Sequence, residues 1–243
     1  IDALRGVAIV MMVTYHLAYD LAFLGYYQAN VVAGPWRAFA RITASLFISL
    51  VGVSLALSYA RFRGKEGGWV LYKRYLVRGL KLLGWGMVIT LITWVYMGKV
   101  VVIFGILHII GVATMLAYPF LSLRWANLFT GLMIIALGIY LNQLPVSHPW
   151  MLLLGLRPRT LFQVDYFPLL PWFGVVLLGV FVGQSLYPGG ERRFNLPDLS
   201  NRPGIKGLVW SGRHSLAIYL VHQPLLLVFI TLASAVGIAI VSS

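Results

Sequence analysis

The sequence predicts an all-α protein, a polytopic bundle of about seven membrane-spanning helices with a cytoplasmic N-terminus. Three observations carry this. The chain is 60% hydrophobic and 10% charged, with mean hydropathy +0.87, whereas a soluble domain carries about 25% charged residues. Apolar runs able to cross a core of about 30 Å recur through all 243 residues. The ten-residue alternation of a membrane barrel is absent. A single membrane domain over residues 1–243 is expected.

The predicted spans are 3–24, 38–60, 75–96, 101–121, 125–142, 166–187 and 210–232. The first, in IDALRGVAIVMMVTYHLAYD, is apolar yet carries Asp2, Arg5, His16 and Asp20. At about 100° per residue these four fall within about 60° of one another on a helix. His16 lies about 16 Å beyond Arg5, near the bilayer midplane. Asp20 follows at i+4, where side chains on one helix meet. An ionisable group in hydrocarbon costs at least about 2.5 kcal/mol, so the seam is expected to face the bundle interior or a water-filled cavity. Asp20 beside His16 suits a general base; an interhelical hydrogen bond is the structural alternative. The run is too long for a secretory signal, and no A-x-A site follows it.

The second span carries Ser45, Ser49 and Gly52, which read as helix packing. Arg37 and Arg41 lie one turn apart at its outer end. They suit the interface, or a position countering Asp20 or Asp165; Arg41 is a candidate substrate-pocket residue. The hydrophilic loop 61–74 follows. The third span opens on Arg74, Arg78 and Lys81, an i, i+4, i+7 stripe. Such a stripe binds anionic lipid head groups or the phosphates of a nucleotide-like cofactor.

The fourth span holds His108, in FGILHIIG, at about the depth of His16. In the segment 143–165, MLLLGL suggests an interfacial or re-entrant turn. The sixth span contains Gly179 and Gly183, a GxxxG packing motif. The loop 188–207 is rich in Pro and Gly and is expected to be irregular. The final segment, 208–243, would reach about 54 Å as one helix. A kink at Pro224, or a separate element beyond Leu232, is expected to divide it.

His222 falls in the last span, again near the depth of His16. Three histidines at one depth suit hydrogen bonding, packing or a shared substrate pocket. A metal site is not expected, because no close-spaced ligand pair such as H-x-x-x-H occurs. Arg213, in WSGRHS, has the same two readings as the third-span stripe. Gly212 beside it would let backbone approach a phosphate. His148 and His214 receive no role.

The chain has 19 basic and 6 acidic residues. With the N-terminus inside, the inner side receives fourteen of those 19: Arg5, Arg61, Arg63, Lys65, Lys73, Arg74, Arg78, Lys81, Arg124, Arg192, Arg193, Arg202, Lys206 and Arg213. The outer side keeps five: Arg37, Arg41, Lys99, Arg157 and Arg159. This asymmetry is the positive-inside pattern, so the basic excess calls for no nucleic acid. The absence of cysteine excludes disulfides, thiolate metal sites and a cysteine nucleophile. No N-x-S/T acceptor is present.

IDALRGVAIVMMVTYH resembles the first helix of the transmembrane acyltransferases, whose type-3 branch carries Arg, ten residues, then His, as Arg5 and His16 do here. YHLAYDLAFLG, FGILHIIGVATMLAYP and GRHSLAIYLVHQPLL resemble the bacterial relatives of heparan-α-glucosaminide N-acetyltransferase. The resemblance implies transfer of acetyl from cytoplasmic acetyl-CoA to a hydroxyl or amine of a sugar or glycan at or across a bacterial or archaeal cytoplasmic membrane. It puts His16, Asp20 and Arg5 in the catalytic set, with His16 as base because LAFLGYYQANVVAGPWR holds no histidine. Arg74, Arg78, Lys81 and Arg213 become candidate CoA-phosphate contacts. His108, His222 and Arg41 become pocket candidates. Direct transfer and an acetyl-histidine intermediate both remain open. A span count below that of the larger relatives leaves room for a homo-oligomer. The competing reading from another class is a small proton-coupled transporter, with the His–Asp pair as proton relay.

Overall fold

A computed structural model describes residues 1–98, 101–143, 149–156, 165–195 and 202–235. Lys99, His148, Arg157, Arg159 and the tail past residue 235 lie outside them. The described residues form a helical membrane protein without strands, consisting of α1 (Asp2–Phe23), α2 (Gly34–Phe62), α3 (Gly68–Met97), α4 (Ile106–Leu116), α5 (Arg124–Leu141), α6 (Leu169–Leu186), α7 (Pro203–Arg213) and α8 (Ser215–Ala235). Short 3₁₀ turns occur at Tyr118–Phe120, Pro149–Leu154 and Pro188–Gly190. The turn at Pro149–Leu154 takes in most of MLLLGL.

Among the described residues, six helices are long and apolar enough to cross a membrane: α1, α2, α3, α5, α6 and α8. Their outward faces are covered in large apolar side chains, such as Trp94, Phe129 and Phe229, as lipid contact requires. Two compact units contain them. One comprises residues 1–47 and 196–243; the other comprises residues 48–195.

In the second unit, the GxxxG of α6 packs on the portion of α2 that holds Ser49 and Gly52. A Cβ on Gly179 would sit 2.1 Å from the Ser49 carbonyl oxygen, and one on Gly183 would sit 3.0 Å from Val53 Cα. The backbones touch there because neither glycine has a side chain. The adjoining buried network was not legible in sequence. Asn127 of α5 is fully buried; its amide donates to Phe120 O at 2.9 Å and Gln184 Oε1 at 3.2 Å. Gln184 of α6 in turn donates to Leu121 O at 2.6 Å.

Two predicted spans take a different form. The fourth is not one long helix, since α4 has 11 residues and rises only about 16 Å. A non-helical run through Val102–Gly105, bent at Ile103 and Phe104, precedes it. Run and helix together lie antiparallel to α3, from Thr93 at one end to Gly68 at the other. Val102 N–H donates to Thr93 Oγ1 at 3.1 Å, and Tyr118 Oη donates to Gly68 O at 2.8 Å. That stretch of α3 rises about 37 Å, a full crossing. Side chains bind the backbone that the helix does not. Thr90 donates to Val102 O at 2.6 Å, Gly105 N–H donates to His108 Nδ1 at 3.1 Å, and Ile106 N–H donates to the Asp165 carboxylate at 3.4 Å. Inside a bilayer such groups need partners of this kind.

The last span also divides, but at His214 rather than at Pro224. α7 ends at Arg213, where the His214 ring and N–H both meet Trp210 O, at 2.9 and 3.1 Å. α8 then continues through Pro224 without interruption. α7 itself begins inside the loop expected to be irregular. Pro203 starts it, a position where the missing N–H costs nothing.

Candidate functional site

The candidate site belongs to the first unit and is built on α1, α7 and α8. Two glycines bring α1 and α7 into backbone contact. A Cβ on Gly6 would stand 2.0 Å from Leu208 O, and one on Gly212 would stand 1.9 Å from Asp2 O. The group that approaches Gly212 is therefore the chain's own carbonyl rather than a phosphate.

This crossing gathers charge at one end of the unit. Asp2 Oδ1 accepts from Arg5 Nη1 at 2.6 Å, and Asp2 Oδ2 accepts from Arg213 Nε at 3.4 Å. Asp2, one turn before Arg5 on the seam, thus binds two of the predicted site residues with one carboxylate. Arg213 remains largely exposed, its side chain 69% accessible. Exposed pairs of this kind contribute little stability, about 0–1 kcal/mol. The interhelix fit here rests on the glycines.

About 16 Å further along the seam, a polar cluster is enclosed. The His16 and His222 rings meet edge to face, with centroids 4.9 Å apart and planes at 62°. Asp20 is 3% exposed and His222 is 8% exposed. Asp20 Oδ1 accepts from Gln223 Nε2 at 2.7 Å. The carboxylate is thus held from across the helix pair by an amide on α8, not by His16 on its own helix. His222 Nδ1 lies 2.7 Å from Tyr219 O. A carbonyl only accepts, so Nδ1 carries the hydrogen, and Nε2 of the neutral ring keeps its lone pair. Asp20 Oδ2, His222 Nε2 and Gln223 Oε1 are buried and make no hydrogen bond among the described residues. All three are acceptors.

An aromatic group runs from Tyr15, beside His16 in this cluster, to residues that follow α1. Tyr15 Oη donates to Val31 O at 3.4 Å, and its ring lies 6.4 Å from Trp36 and 6.4 Å from Tyr19. Tyr27 and Phe39 complete it against Trp36. Such belts of Trp and Tyr occur where a membrane meets water.

The remaining sequence candidates lie elsewhere. Arg41, in the first unit, is exposed on α2. His108 belongs to the second unit, where it caps α4; its Nδ1 accepts from Gly105 N–H, and its Nε2 lies 3.3 Å from Thr90 Oγ1. Arg74, Arg78 and Lys81, also in the second unit, are exposed on α3. The Arg74 guanidinium is paired with both carboxylate oxygens of Glu66 and lies 4.0 Å over the Phe62 ring. α3 begins at Gly68, so this stripe lies inside the helix rather than at its first turn.

Gln223 and Asp2 are the site residues that sequence reasoning missed. Gln223 follows His222 directly, and its pairing depends on which face of α8 meets α1. Asp2 lay on the predicted seam, but its second partner is 211 residues away.

The family model for heparan-alpha-glucosaminide N-acetyltransferase, catalytic, matches residues 1–224. Those residues contain α1 to α7 and the part of α8 that carries His222 and Gln223. No curated protein matches the chain, and no solved structure does.

Proposed function

The chain belongs to the heparan-alpha-glucosaminide N-acetyltransferase catalytic family, a family of membrane acetyltransferases, and from that premise we propose that it moves acetyl from acetyl-CoA to a hydroxyl or amine of a sugar-type acceptor. One observation carries the proposal: three buried acceptor atoms, Asp20 Oδ2, His222 Nε2 and Gln223 Oε1, have no hydrogen-bond partner among the described residues and lie beside two imidazoles. A partner for them must bring N–H or O–H groups. An amino or hydroxyl sugar has several. The acetyl thioester group itself has none, and the pantetheine arm behind it has two amide N–H groups and one hydroxyl.

In this reading the N-terminus is cytoplasmic, and the membrane is a bacterial or archaeal cytoplasmic membrane. The basic bias of the inner loops supports that orientation. The donor enters at the Asp2 end. Arg5 organises that end through Asp2, and Arg213 is the more exposed cation for its phosphates. Arg74, Arg78 and Lys81 are further candidate phosphate contacts. The acceptor lies against Asp20, and the His16–His222 pair takes its proton as it attacks the thioester. Arg41 stands as a candidate acceptor contact, and His108 supports the second unit.

Thiol release in lipid nanodiscs tests this. The chain has no cysteine, so a thiol reagent sees only the CoA liberated. Acetyl-CoA should bind saturably and release thiol when amino or hydroxyl sugars are added. Replacing both imidazoles, His16→Ala with His222→Ala, should abolish release and leave donor binding within about threefold. An intact protein that binds no acetyl-CoA, or releases no thiol across a panel of sugars, refutes the proposal.

A further inference from the structure

We infer that His222, rather than His16, holds the proton during acyl transfer, at Nε2, with the Tyr219 carbonyl as its positioning group. This rests on the acetyl-transfer reading above and assigns the two imidazoles different work.

The rings are in contact, but among the described residues only His222 is oriented by a hydrogen bond. Tyr219 O fixes the His222 tautomer at 2.7 Å. The lone pair of Nε2 is left buried and without a partner among the described residues. A general base needs this arrangement: one nitrogen anchored as donor, the other directed at the proton to be taken. His16 has no such anchor among the described residues. Its i+4 neighbour Asp20 is committed to Gln223 through Oδ1. A lone pair on His16 therefore has no fixed direction, and the ring serves as a wall that holds His222 and the acceptor in place.

Gln223 has a linked role. Gln223, one residue along α8 from the base, donates to Asp20 Oδ1 and leaves Oδ2, on α1, as the carboxylate oxygen open to the acceptor. The acceptor's second donor group is held there while its nucleophile faces His222.

The step balances. The acceptor nitrogen or oxygen forms a bond to the acetyl carbonyl carbon, and its proton passes to His222 Nε2. The carbon–sulfur bond breaks, and CoA leaves as thiolate. The imidazolium then protonates that sulfur, which restores neutral His222 and releases CoA thiol.

Two measurements test the assignment, one independent of activity. In protein labelled with ¹⁵N-histidine, assigned by comparison with His222→Asn, neutral His222 should show a protonated Nδ1 and an unprotonated Nε2. The opposite tautomer overturns the inference, whether or not the protein transfers acetyl. In the thiol assay, His222→Asn keeps a donor facing Tyr219 O and loses the base. Its kcat should fall about 100-fold or more, with KM for acetyl-CoA within about threefold, and added imidazole should restore part of the rate to His222→Ala. His16→Asn should cost less than His222→Asn. A kcat for His222→Asn above a tenth of the wild-type value, or a larger loss in His16→Asn, overturns the inference while leaving the transferase reading intact. Absence of thiol release from wild-type protein that shows the expected tautomer removes the transferase reading and, with it, the catalytic assignment.

Discussion

Gly6→Ala is the sharpest structural test of how the site is assembled. The new methyl would lie 2.0 Å from Leu208 O, 2.6 Å from its carbonyl carbon and 2.8 Å from its Cα. Ordinary contact begins near 3.4 Å, so α1 and α7 must separate by about 3.4 − 2.0 = 1.4 Å at the closest pair. All three atoms are backbone, so no side chain can rotate away. Overpacking of a well-fitted contact costs about 1–3 kcal/mol, and the upper end is expected here. For a chain of this size that lowers Tm by about 2–12 °C. Tryptophan fluorescence during heating in detergent reads the shift. Gly84→Ala is the control: on α3 its Cβ would meet nothing within 4 Å, and alanine is favoured over glycine in a helix by about 1 kcal/mol. Gly84→Ala should therefore match or exceed wild type. Equal melting of the two variants, or a more stable Gly6→Ala, refutes the close-crossing account of α1 and α7.

Further outcomes follow from the same contacts. Gln223→Leu leaves Asp20 buried without its donor and should lower stability by about 1–3 kcal/mol; denaturation in a urea series measures this, and double-mutant coupling with Asp20→Asn should recover part of it. Asn127→Leu removes the donor to Phe120 O and Gln184, and an unfolding midpoint unchanged from wild type would argue against that network. Thr90→Val strands Val102 O and His108 Nε2 in the second unit, and should destabilise by about 1–3 kcal/mol by the same assay. Arg213→Gln should weaken acetyl-CoA binding and flatten its salt dependence, as read by calorimetry at two ionic strengths.

The helical class was legible because hydropathy is a sum over many residues. So was the interior seam of α1, because a helical wheel needs only positions along one helix. Gly179 and Gly183 were legible for the same reason, and they pack as their spacing implies. What a wheel cannot supply is the residue on the other side. His16 and Asp20 were read as partners because they are four apart. The burial of α1 against α8 instead gave Asp20 to Gln223, and His16 to His222. Hydropathy likewise counted 101–121 as a helix, because helical and non-helical apolar residues score alike. Thr90, Thr93, His108 and the Phe167 amide, acting on the backbone from outside the run, show why the first part need not be helical. The break at His214 was missed because Pro224 is the stronger local signal, yet α8 tolerates it.

That broken fourth crossing bears on how the chain is made. A continuous apolar helix can leave the translocon alone, since its own turns bind its peptide groups. The stretch through Val102–Gly105 has no such independence, because residues of α3 bind part of it. Partitioned singly into lipid, it would carry bare amides into hydrocarbon. It must enter as the second arm of a hairpin whose first arm is α3, so biosynthesis has to hold α3 back until its companion has emerged.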